Sequence, residues 1–242
     1  MHLKKVLILI ILLTLCLGIV ACKNPNDEPD NTEKVNAVHT PISDSYNGYV
    51  LEKTERFVDF TSEVYDEREL LLPTSSALFS ISEIELDFLP LSLLYNAEKA
   101  GGHFEGIARG CMDCVVNVTD SEFELSYSKY DGETELIRGT YDIQNGSLYC
   151  ELYEDDQLGK TMEYLCCDGG YIAQYTKVDE DETKVFRILI DDSLMGIACV
   201  TDTTAKRISE LNREDFLKSD VLSVILKDGI ITATVEGKTS EY

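Results

Sequence analysis

Hydrophobic positions follow four rhythms along this chain, and each rhythm predicts a different kind of structure. Val6 to Val20 is apolar almost without a break. Lys23 to Ser45 is polar, with only Val35, Ala37, Val38 and Ile42 as aliphatic residues. Between 50 and 72, Val50, Phe57, Val58, Val64, Tyr65, Leu71 and Leu72 recur at helical spacing among acidic residues, which predicts an amphipathic helix. Pro73 is expected to stop it, because a ring without an N–H cannot continue the ladder. A second helix is expected over 82–100, opened by Ser82 and Glu85 at capping-box spacing. Pro90 should kink or divide it, and Gly101-Gly102 should end it.

From residue 104 the period changes to two. Phe123, Leu125 and Tyr127 alternate with Glu122, Glu124 and Ser126, and Leu148, Cys150 and Leu152 alternate with Tyr149, Glu151 and Tyr153. Turn signals such as Asp131-Gly132, Asn145-Gly146, Asp155 to Gly159, Asp168-Gly169-Gly170, Asp179 to Glu182 and Asp191 to Ser193 come about 12 residues apart. A short helix is expected over 205–217, with Ile208, Leu211 and Phe216 as its apolar side. A last hairpin should place Leu222, Val224 and Leu226 with Ile231, Ala233 and Val235 on one face, completing a terminal unit over 205–236. The expected product is an α+β domain: a large curved antiparallel meander of about 8–10 strands with two or three helices on one face. Its outline is loosely similar to the half-barrels of bacterial lipoprotein carriers, which implies an apolar cavity beneath the helices and a lipid or other apolar ligand.

The N-terminal run specifies an address. Lys4 and Lys5 precede about 15 apolar residues, a secretory pattern too short for a membrane span of roughly 20. Gly18-Ile19-Val20-Ala21-Cys22 resembles the lipobox of bacterial lipoproteins, with Ile19 where Leu is usual. The resemblance implies cleavage before Cys22, lipidation of Cys22 and an extracytoplasmic domain anchored to the bacterial cell membrane. The expected division is a signal peptide at 1–21, a flexible tether at 22–45 and one domain at 46–242. The tether holds three of the five prolines and too little apolar surface to offset its ordering entropy.

Charge narrows the partners. The formal charge of −24 becomes −26 once Lys4 and Lys5 leave with the signal, a field that repels nucleic acid phosphates and anionic lipid head groups. Nucleic acid is therefore excluded as a partner, and the anchor must be lipid.

Candidate chemistry is sparse. Cys111, Cys114, Cys150, Cys166, Cys167 and Cys199 permit three disulfides in 15 connectivities. Cys111-Met-Asp-Cys114 has redox spacing but precedes a strand, the wrong context for a thiol of lowered pKa. Cys111, Cys114 and His103 would give zinc three ligands, with no second Cys-x-x-Cys to complete the set. Alternate turns of a meander share an end, so Asp155, Asp156, Asp179 and Asp181 could meet around calcium, although turns favour Asp anyway. Tyr149, Tyr153, Tyr164, Tyr171 and Tyr175 could line a ligand face or simply pack in a sheet. No hydrolase signature is present. The expectation is a non-enzymatic protein without cofactors that binds an apolar ligand; the alternative is a protein-interaction or structural module of the cell envelope that uses its acidic surface.

Overall fold

The computed structural model describes residues 41–93, 112–129, 131–178, 182–201 and 206–242. The signal segment, Cys22, His103 and Cys111 lie outside the described residues, as do Asp179 and Asp181.

Helix α1 spans Pro41–Val64, so it begins inside the stretch expected to be tether. Proline is pre-organised for a first helical position, where its missing N–H costs nothing. Ile42, Tyr46, Tyr49, Lys53, Phe57, Phe60 and Val64 then form one buried stripe at spacings of three and four. Ile42 is thus core, not linker. The chain turns at Tyr65–Glu67, where the Glu67 N–H donates to the Val64 carbonyl at 3.1 Å. Helix α2 follows at Arg68–Asp87 with Pro73 inside it. Pro73 was expected to terminate a helix; it lies instead in the second turn of α2, where its ring removes one rung of the ladder. The break belongs to 65–67, eight residues earlier than Pro73 suggests. The second expected helix does not open at Ser82, which lies inside α2 with its hydroxyl donating to the Leu78 carbonyl at 2.9 Å; α2 ends at Asp87, a 3-10 turn containing Pro90 follows at Leu89–Leu93, and 94–100 lie outside the described residues. The two helices fold back on each other, with Tyr46 Oη donating to the Glu85 carbonyl at 3.1 Å and Ser43 Oγ to the Leu91 carbonyl at 2.8 Å.

Eleven strands follow among the described residues: β1 (Met112–Val118), β2 (Glu122–Ser128), β3 (Thr134–Asp142), β4 (Ser147–Glu154), β5 (Gln157–Cys167), β6 (Gly170–Val178), β7 (Thr183–Ile190), β8 (Leu194–Thr201), β9 (Leu222–Lys227), β10 (Ile230–Val235) and β11 (Lys238–Glu241). Each pairs with its chain neighbours in one antiparallel sheet ordered β1 to β11, open rather than closed and half-barrel-like. The strand beyond the expected range is β11. Its hairpin turns on Glu236-Gly237, at φ 49° and 75°, and glutamate is not a residue that announces positive φ. Asp155-Asp156 makes the same kind of turn at φ 49° and 62°. The last expected hairpin has the anticipated register, Leu226 opposite Ile231, Val224 opposite Ala233 and Leu222 opposite Val235.

Both faces of the sheet are partly covered. On the inner face, α1 and α2 close over a core that includes Phe123, Leu125, Ile137, Leu152, Ile188 and Val224. On the outer face the β8–β9 connection lies across the later strands, burying Ile208, Phe216 and Leu217 against Leu189 and Ala198. This segment was expected to be a helix over 205–217. It is two single 3-10 turns, Ile208–Glu210 and Arg213–Asp215, held by side chains from the sheet beneath. Glu163 accepts from Arg207 Nε at 2.9 Å and from the Ile208 N–H at 2.8 Å. Gln174 Nε2 donates to the Lys206 carbonyl at 2.7 Å, and Arg187 Nη1 to the Phe216 carbonyl at 3.3 Å. Glu163, Gln174 and Arg187 stand in one cross-strand row, so three consecutive strands each supply one polar clasp.

Candidate functional site

The expected cysteine chemistry finds little support in geometry. Cys150 faces Gly139 and Met162, Cys166 faces Tyr171, and Cys199 faces Phe186 and Leu222. Cys150 and Cys166 therefore do not meet across a hairpin, and the five described cysteines are thiols. Burial pushes the thiols of Cys114, Cys150, Cys167 and Cys199 upward, opposite to the activated thiolate that redox chemistry needs. Among the described residues no group of three or more His, Cys, Asp or Glu is arranged for a metal. Asp155 and Asp156 are exposed turn residues. No described helix is long and apolar enough to cross a membrane.

The tyrosines divide between the two faces. Tyr164 and Tyr175 point inward and are fully buried. Tyr49 from α1 stacks on Tyr164 with ring centroids 4.4 Å apart and meets Tyr171 edge-on at 5.2 Å. Below them lies a buried ion pair, Lys53 Nζ to Glu85 Oε1 at 2.5 Å, and Tyr175 Oη also donates to Glu85 Oε1 at 2.5 Å. Tyr49 and Tyr175 share a hydrogen bond. Burial, reinforced by the Glu85 charge, holds the phenols of Tyr46, Tyr49 and Tyr175 well above their ordinary range. They are neutral donors and packing groups, so the space between helices and sheet is occupied by aromatic rings and their hydrogen bonds.

Tyr149 and Tyr153 point outward, Tyr153 on the part of the sheet that the β8–β9 connection leaves uncovered and Tyr149 at its edge, beneath Arg207. Strand alternation puts Glu151 between them, and Arg138 faces Glu151 from β3. Tyr149 Oη and Tyr153 Oη each donate to Glu151 at 2.8 Å, Arg138 Nε donates to it at 3.1 Å, and Arg138 also lies over the Tyr153 ring at 4.5 Å. Partial burial alone would raise the Glu151 carboxyl, yet the bonds from Tyr149, Tyr153 and Arg138 outweigh it and leave the group below its ordinary value. Glu151 is therefore a fixed anion that orients two phenols and a guanidinium. Arg207 stacks on Tyr149 at 3.5 Å and closes one side of the array, bordering a half-open hollow of about 230 Å³ lined by Thr140, Tyr149, Glu163 and Arg207 among others. A second hollow, about 320 Å³, lies between α1 and the β7–β8 and β9–β10 turns, with Arg56, Asp59, Asp192 and Asp228 in its wall.

The Tyr149 and Tyr153 positions were visible in the sequence as a tyrosine stripe. Arg138 and Glu151 were not, since their meeting depends on cross-strand register. Lys53 could have been found, because it occupies an inward position of the α1 stripe between Tyr49 and Phe57, where a charge signals a buried partner.

Comparison with protein-family models, with curated proteins and with solved structures gave no match. The class stands on the fold alone: an α+β protein with one open antiparallel meander, clasped by a helical hairpin on one face and a short connection on the other.

Proposed function

We propose that this is a non-enzymatic, lipid-anchored extracytoplasmic protein that docks a basic partner protein on the open outer face of β1–β4. The observation carrying this reading is the array of Tyr149, Tyr153 and Arg138 held around Glu151. Tyrosine and arginine are the residue types that concentrate binding energy at interfaces, and side chains already fixed by hydrogen bonds lose little entropy on docking. Exposed Glu122 and Glu124 stand on the same face, and the formal charge of −24 favours a cationic partner by steering it and by rejecting acidic ones. The anchor rests on the resemblance of residues 18–22 to a lipobox. The apolar-cavity reading is less favoured, because Tyr49, Tyr164 and Tyr175 already fill the space it requires.

Photo-cross-linking in intact cells tests the proposal, with the reactive residue placed at 124 on the open face or at 230 on β10. The expected result is a protein adduct at 124 that disappears with Tyr153→Ala and at raised salt, with none at 230. Equal adducts at both positions, or a lipid adduct at 124, would overturn it.

A further inference from the structure

Each helix buries one stripe against the sheet, and α2 carries a second stripe on its opposite side. Leu72 is 79 % exposed, Phe79 65 % and Leu86 51 %. Seven-residue spacing sets these three side chains in line along the helix, with exposed Ser76 and Glu83 between them. The order is symmetric about Phe79: leucine stands seven residues to either side and serine, Ser76 and Ser82, three residues to either side.

We infer that α2 is a self-association surface, on which two copies of this chain pair antiparallel about a two-fold axis passing near Phe79. A two-fold interface must be self-complementary, residue i meeting j while j meets i. Antiparallel pairing places Leu72 of each copy against Leu86 of the other, and the two Phe79 rings together at the axis. Ser75, Ser76, Ser80 and Ser82 flank the stripe and let the helices approach closely. Charge selects the orientation. Parallel pairing would set Glu83 beside Glu83, whereas antiparallel pairing puts each Glu83 over Ser75 and Ser76. It separates the two carboxylates by roughly 12 Å along the axis at 1.5 Å per residue, about one Debye length.

A bilayer surface fits the stripe less well. Helices that lie on membranes carry Lys and Arg on their polar side, and α2 has Glu69, Glu83, Glu85 and Asp87 against Arg68 alone. Three side chains offer only a few hundred Å² per copy, which places the contact at the weak, transient end of specific interfaces. The surface lies on the helix side of the sheet, so the inference does not depend on docking at the outer face.

Sedimentation equilibrium on residues 23–242, which keep the whole described core, tests the pairing between 5 µM and about 1 mM. The expected result is a monomer–dimer equilibrium strengthened by salt and weakened more than tenfold by Phe79→Glu or Leu72→Glu, with melting unchanged. Oxidising the Leu72→Cys, Leu86→Cys double variant as a mixture of ¹⁵N-labelled and unlabelled chains should yield mixed-isotope peptides joining 72 to 86. A monomer throughout, a dimer insensitive to both glutamates, or 72–72 and 86–86 links would overturn the inference. Phe79-dependent binding to phosphatidylcholine vesicles without dimer formation would overturn it as well.

Discussion

The Lys53–Glu85 pair shows how single residues are held in this core. Two charges with side chains 9 % and 5 % exposed lose hydration, and their attraction offsets that loss only while both are present. Lys53→Met should therefore destabilise the fold by about 3–5 kcal/mol, since Glu85 would remain buried without its cation. The double variant Lys53→Met, Glu85→Leu should recover most of that loss. Urea melts of wild type, both single variants and the double variant check this, and additive losses would show that the pair is not coupled. Asp191 is a contrasting case at the β7–β8 turn. Some burial raises its carboxyl, but bonds from Ser193, the Leu194 N–H and Arg213 prevail and lower it. A carboxyl lowered by folding contributes stability fully above its unfolded value, near 4, and loses it as pH falls through the folded value. Asp191→Asn should thus cost about 1–2 kcal/mol above pH 5, a difference from wild type that shrinks toward pH 2. A constant difference across that range would contradict the assignment. The sequence marks Asp191 as a turn residue but does not show Arg213, which reaches it from the β8–β9 connection.

At the scale of elements, legibility followed locality. Two-residue periodicity exposed the inward rows of β2, β4, β9 and β10, because alternation depends only on the strand's own pleat. The limits of α1 and α2 are hidden in the sequence because the Tyr65–Glu67 turn carries neither glycine nor proline, while Pro73 sits within a helix. The β8–β9 connection departs from its expected helix for a different reason. Ile208, Leu211 and Phe216 have roughly helical spacing, yet their burial is directed by the sheet below, and Glu163, Gln174 and Arg187 satisfy the backbone groups that a helix would have paired internally. Glu163 is the critical clasp, because its side chain is 5 % exposed and it bonds two groups of the connection. Glu163→Ala should cost about 2–4 kcal/mol by leaving the Ile208 N–H buried and unpaired. The loss should appear first as local opening, with trypsin cutting at Lys206, Arg207, Arg213 or Lys218 well before global unfolding. Cleavage at the wild-type rate would mean that the apolar contacts of Phe216 and Leu217 hold the segment alone. Gly139 gives a further check on register, since a Cβ there would lie 2.0 Å from the Tyr149 carbonyl oxygen. Gly139→Ala should push β3 from β4 and lower stability by roughly 1–3 kcal/mol in a urea melt.

Across the whole molecule, charge and topology act together. The architecture was readable because composition and pattern are properties of the entire chain, while the outer-face array was not, because Arg138, Glu151 and Tyr153 meet only through the β3–β4 register. The same scale determines how the protein responds to salt. Forty-five acidic residues against 21 basic ones make the folded state self-repelling, and folding brings those charges closer than the unfolded chain does. Three buried or largely buried lysines are already engaged, Lys53 with Glu85, Lys160 with Asp87 at 2.8 Å, and Lys129 with Glu135. Such partly or fully buried pairs are screened much less than the surface excess. Raising NaCl from about 10 mM to 500 mM shortens the Debye length from roughly 30 Å to about 4 Å, so it should relieve the repulsion and leave the buried pairs nearly intact. The expected outcome is a melting temperature higher by about 3–6 °C, equivalent to about 1–2 kcal/mol for a domain of this size. A melting temperature that falls with salt would mean that surface ion pairs such as Arg138–Glu151 and Arg213–Asp191 outweigh the net charge, and would place the stability of the outer face in its local networks.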